Sequence, residues 1–129
     1  MYDFSWYQTL NQPHLAPPAE LFSPVWIVMY ILIALAFIFY ITKFTFNNKI
    51  LGYILFFTQL LVNFSWTPAF FGAKNILLAL IILIILDILV LLTIIEFTKV
   101  SKLAGRLLIP YFIWIIFATY LNIGILFLN

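Results

Sequence analysis

The chain of 129 residues is 67% hydrophobic and 8% charged, with a mean hydropathy of +1.21, whereas soluble domains average about 45–50% apolar and about 25% charged residues. Its only plausible solvent is a lipid bilayer, and the absence of cysteine removes disulfides, thiolate metal sites and nucleophilic cysteine chemistry. A net charge of +2 carried by so few groups says nothing about nucleic acid, which is not expected as a partner, and matters only through where the basic residues lie.

Residues 1–20 are polar and aromatic, with Pro13, Pro17 and Pro18. Prolines at this density cannot continue a helix, so the segment is expected to be extended and to lie as a lid over one mouth of a helix bundle, with Trp6 at its edge. It has neither the basic start nor the apolar stretch of a signal peptide. Residues 21–42 contain no charge and place Pro24 where a first-turn proline is tolerated, so they read as a spanning helix of about the required 20 residues. The turn Lys43–Lys49 follows.

Residues 50–71 form the second expected span, with Pro68 loosening its last turn, and Gly72–Asn75 is a short turn. Residues 76–97 are almost wholly Leu and Ile, as suits a helix with much lipid contact, but carry one acid deep in the span, Asp87. After a polar turn at Thr98–Lys102, residues 103–128 form the fourth span, in which Pro110 is expected to produce a bend. The fold class is therefore all-α: a four-helix integral membrane bundle over residues 21–129, preceded by the lid.

The stretch Gln59–Phe71 stands out within this pattern. Gln59, Asn63, Trp66 and Phe70 recur at helical spacing on one face, and an unpaired amide in hydrocarbon costs several kcal/mol, so the face is expected to look into the bundle or a cavity. Similar stripes run along the first span as Phe22, Trp26 and Tyr30, and along the fourth as Tyr111, Trp114, Ala118 and Asn122. Together these residues can wall a flat pocket of indole, phenol and amide groups, on which a planar macrocycle stacks. The competing reading is that the aromatics only pack helix on helix and that Ala118 is a close-approach residue.

Charge placement sets an expected orientation. Lys43, Lys49, Lys99, Lys102 and Arg106 fall at one end of the four spans and Lys74 alone at the other. The positive-inside rule makes the first end cytoplasmic and puts the N-terminal segment and Asn129 outside.

Three segments in order resemble the tryptophan-rich sensory protein / translocator protein (TspO) family. WYQTLNQPHLAPPAELFSPVWIVMY, Trp6 to Tyr30, resembles its first loop and following helix; Gln59, Leu61, Asn63, Trp66, Phe70, Phe71 and Gly72 resemble its QLxLNxxWSxxFFG helix; LAGRLLIPYFIWIIFATYLN, Leu103 to Asn122, resembles its last helix. The resemblance implies an integral protein, here expected in a bacterial inner membrane, with a pocket that binds porphyrins such as protoporphyrin IX or haem as ligands, not obligatory cofactors. Family members have five helices, and this chain starts where the loop after the first should be. A homodimer is expected to cover the surface which that helix would occupy.

The departures are specific. Gln12 stands for the loop lysine, Leu15 for the usual loop aromatic, and Thr67 for the serine after the core tryptophan. Ile123 and Phe127 occupy the places of the Tyr and Arg that end the cholesterol-recognition pattern of animal relatives, so sterol binding is not expected. The family's acid in the third span falls near Ile82, leaving Asp87 without a carried-over role, either neutral or paired between subunits. His14 reads as a solvated loop residue, and no metal site or catalytic set is legible. A receptor, sensor or carrier is the leading reading. Light-dependent porphyrin breakdown beside Trp26 and Trp114, or a scaffold without a ligand, are the alternatives.

Overall fold

The computed structural model describes residues 10, 22–46 and 48–129. Four helices carry nearly all of them: α1 (Phe22–Thr42), α2 (Ile50–Thr67), α3 (Ile76–Val100) and α4 (Lys102–Leu128). All four are long and apolar enough to cross a membrane, so the chain is an integral membrane helical bundle. The lid residues Trp6, Pro13, Pro17 and Pro18, like His14, lie outside the described residues, as does the side chain of Phe22.

Each helix buries one narrow stripe. In α3 the buried positions are Ala79, Leu83, Leu86, Val90, Thr93 and Phe97, in alternating steps of four and three. The same steps appear in α2 at Gly52, Phe56, Gln59 and Asn63, and in α4 at Ala104, Leu108, Tyr111 and Ile115. This is the spacing of near-parallel helices packing knobs into holes. Most of the remaining Ile, Leu and Phe side chains point outward, where lipid covers an apolar surface that water would not tolerate.

Backbones approach closely between α2 and α3, α3 and α4, and α4 and α1. Helices α1 and α2 meet instead through side chains, such as the stacked rings of Phe37 and Phe56. That seam is backed by α4 and holds the features of interest.

Pro68 does loosen the end of α2. Residues Pro68–Gly72 form a π-helical turn, in which the Ala73 N–H reaches the Pro68 carbonyl at 2.8 Å. A ring that clashes with the preceding turn is relieved by widening it. The wide turn buries Ala69, Phe70 and Phe71 in succession against Ala79, Leu121 and Ile125. Lys74 then adopts a left-handed φ of 54°, and the Asn75 side chain caps α3 by accepting from the Leu78 N–H at 3.0 Å.

The third helix continues to Val100, so the turn expected over Thr98–Lys102 reduces to Ser101 alone. The Thr98 hydroxyl returns to the Ile94 carbonyl at 2.7 Å, which lets a polar residue stay helical. Ser101 is extended and accepts from the Ala104 N–H at 3.2 Å, starting α4 at once. Helix α4 then passes through Pro110 without interruption.

Candidate functional site

At the end of the seam opposite Lys43–Lys49, three helices contribute one indole each to a small hollow. Its lining is Trp26 from α1, Trp66 and Phe70 from α2 and its π turn, and Trp114, Ala118, Leu121, Asn122 and Ile125 from α4. Trp26 meets Trp114 edge-on, with centroids 6.1 Å apart and planes at 82°. Trp66 lies on Phe70 at 5.1 Å and 23°. The hollow measures about 20 Å³, room for about one water.

The wall is apolar but for one pair. Trp66 Nε1 donates to Asn122 Oδ1 at 3.3 Å, and Asn122 Nδ2 donates to the Ile76 carbonyl at 2.9 Å. Asn122 therefore ties α4 to α2 and to the first turn of α3. The indole bond is long for N–H···O, which makes it the weaker of the two.

One turn nearer the Lys49 end, Tyr30, Asn63 and Tyr111 form a separate hydrogen-bonded chain with Gln59. The Tyr30 hydroxyl donates to Asn63 Oδ1, Asn63 Nδ2 donates to the Tyr111 hydroxyl at 2.8 Å, and that hydroxyl donates to Gln59 Oε1 at 2.8 Å. Every acceptor is used, leaving Gln59 Nε2 as a buried donor without a partner among the described residues. The chain fixes the ring of Tyr30, which leans on Trp26 at 5.8 Å. The polar network supports the wall of the hollow from beneath.

Of the residues singled out in the sequence, Trp26, Trp66, Phe70, Trp114, Ala118 and Asn122 thus converge on one hollow, while Tyr30, Asn63 and Tyr111 sit behind it. Leu121 and Ile125 complete the lining unannounced, because an aliphatic residue in an apolar span carries no chemical signal; only their spacing from Ala118 marks the face.

Asp87 belongs elsewhere. Its Oδ2 accepts from the Thr119 hydroxyl on α4 at 2.7 Å, while Oδ1 is buried without a partner among the described residues. Thr119 is part of the same helix end as the hollow but does not line it.

The TspO/MBR family profile matches residues 2–128. Among curated proteins, the chain is 41% identical over 127 residues to the tryptophan-rich protein TspO of Chlorobaculum tepidum, covering 97% of this chain and 80% of that one. It is 32% identical to protein CrtK of Rhodobacter capsulatus, covering 97% and 79%. It is also 34% identical to the translocator protein of Homo sapiens, covering 91% and 70%.

Proposed function

Because the chain belongs to the TspO/MBR family of membrane proteins, we propose that it is a receptor, sensor or carrier for porphyrin-type tetrapyrroles, with protoporphyrin IX or haem taken up at the three-indole hollow. The observation that carries this reading is the convergence of Trp26, Trp66 and Trp114 from three helices on one space with a single polar pair. Flat electron-rich walls favour a flat aromatic ligand by offset stacking and edge contacts.

A hollow of about 20 Å³ does not hold a macrocycle. Uptake therefore requires the Trp26 and Trp114 rings to part, and the sparse close backbone contact between α1 and α2 leaves that seam the softest place to open. The polar pair sets the second requirement. A ligand carboxylate can gain a donor by taking the Trp66 N–H from Asn122, whose 3.3 Å bond is the more readily exchanged of the two that Asn122 makes.

Titrating the detergent-solubilised protein with protoporphyrin IX in the dark tests the reading through tryptophan fluorescence. Quenching at micromolar porphyrin is the expected result, and its absence removes both binding and light-dependent breakdown. Repeating the titration under illumination separates the two, since a receptor does not speed the loss of porphyrin absorbance beyond that seen without protein.

The proposed orientation has the Lys43–Lys49 end in the cytoplasm and the hollow toward the outside. An impermeant thiol reagent on whole cells should label cysteine placed at Ser5 and not at Asn48, and the reverse pattern overturns it. The homodimer is part of the same proposal, and crosslinking in native membranes that yields only monomer speaks against it.

A further inference from the structure

The basic residues at the Lys43–Lys49 end do different things, although they look alike in sequence. Lys49 Nζ donates to the carbonyls of Ile41 at 3.3 Å and Lys43 at 2.7 Å, where it satisfies the exposed C-terminus of α1. Lys99 pairs with Glu96 at 2.9 Å. Lys43, Lys102 and Arg106 make no ion pair among the described residues. All three converge, with Lys99, on one open hollow of about 530 Å³ whose other walls are Thr98, Val100, Ser101 and Leu103.

The convergence is built into the backbone. Gly105 lies so close to Thr98 that any Cβ there would overlap the threonine hydroxyl, so the end of α3 and the start of α4 are held against each other, and Lys99, Lys102 and Arg106 with them. The first turn of α4 contains no acidic residue. Its free N–H groups and the positive end of a helix of 27 residues therefore add to the field of the cations.

Leu103 on the hollow's wall and the two rings that follow Lys43 in the chain select among anions. Phe44 is 78% exposed and Phe46 is 96% exposed, their rings in edge contact at 5.1 Å, and Leu103 on the hollow's own wall is 48% exposed. Apolar groups bared beside a cation cluster at the ends of membrane-spanning helices sit at the headgroup level, with hydrocarbon on one side. A soluble phosphate uses none of that surface; a phospholipid uses all of it.

We propose that this hollow is a binding site for the headgroup of one anionic phospholipid, whose phosphate is held by Lys43, Lys102 and Arg106 and whose acyl chains run down past Leu103 and the Phe44–Phe46 pair. It depends on the hollow lying at a membrane surface and not on which surface that is, and it is independent of the tetrapyrrole reading. Basic pockets between transmembrane helices favour such lipids because two or three fixed cations reach one phosphodiester inside the Debye length.

Native mass spectrometry of the full chain, after incubation with phosphatidylglycerol or phosphatidylcholine, tests the site. The wild type should retain one phosphatidylglycerol through detergent conditions that strip phosphatidylcholine. In Lys43→Gln/Lys102→Gln/Arg106→Gln that retention should fall about tenfold or more, while Lys74→Gln, at the other end of the bundle, behaves as wild type. Because a triple charge removal can disturb insertion, Lys102→Gln and Arg106→Gln are also read singly, each with helical content checked by circular dichroism, and each should show a partial loss. Equal retention of the two lipids overturns the proposal, as does undiminished phosphatidylglycerol in folded single variants. Full displacement of the lipid by millimolar inorganic phosphate assigns the hollow to a free anion and overturns it as well.

Discussion

At the Lys49 end of the bundle, Tyr40 lies flat on Phe97 with centroids 3.9 Å apart and planes at 8°, and Phe56 stacks on both Phe37 and Phe97. At the opposite end, Trp26 meets Trp114 edge-on and the indoles stand around a hollow. Both ends draw on α1, α2 and one of the later helices, and both are rich in rings. The stacked end is closed because Gly52 removes a side chain where Tyr40 enters, so the rings fall into van der Waals contact. The indole end stays apart because Ala118 is small and because the Trp66–Asn122 bond fixes an edge that stacking would otherwise use. Aromatic content does not make a binding site; what stands between the rings does.

If that contrast is right, the two ends respond to different assays. The largest effect is expected at the closed end. Phe97→Ala removes the ring on which Tyr40 and Phe56 stack; since separated helices face lipid and not water, only the packing part of the usual loss applies, about 2–3 kcal/mol, read as a lowered unfolding transition in detergent. Gly52→Ala should destabilise by about 1–3 kcal/mol through overpacking against Tyr40. Porphyrin affinity in whatever remains folded should be unchanged in both.

Trp114→Ala and Trp26→Ala reverse the pattern, weakening porphyrin binding by roughly 1–3 kcal/mol with helical content unchanged. Unaltered affinity in both would make the indole end a second packing cluster and erase the distinction. The smallest effect belongs to the network between the two ends. Asn63→Leu strands the hydroxyl of Tyr30 and removes the donor to Tyr111, which keeps its bond to Gln59, and because polar contacts between transmembrane helices average about 0.6 kcal/mol, a stability loss of about 1 kcal/mol is expected. Affinity should fall by less than in Trp26→Ala, since the variant frees the Tyr30 prop without removing the wall.

Much of this is legible in the sequence. The helical spacing of Gln59, Asn63, Trp66 and Phe70 placed a polar face in the bundle, and the structure buries Gln59 and Asn63 there. The loosened turn at Pro68 follows from proline's missing N–H and the clash of its ring with the preceding turn. Thr98–Lys102 reads as a turn because polar residues commonly mark one, whereas the Thr98 hydroxyl bonds its own helix and lets α3 run on to Val100. Asp87 gave no hint of Thr119, which lies on another helix and shares no periodicity with it.

The sequence by itself determined the solvent, the number of spans in this chain and the inward stripe of each helix, because hydropathy and a period of 3.6 residues are local properties. Only the tertiary structure decided which stripes touch. It separated Trp66 and Asn122, which face the hollow, from Asn63 and Tyr111, which face each other, and it distinguished the cations that cap or pair from those left open. Those assignments depend on axial offsets and close approaches between helices, fixed by contacts such as Gly52 with Tyr40 and Gly105 with Thr98. Residues far apart in the chain meet there, and no single helix's periodicity contains the offset that joins them.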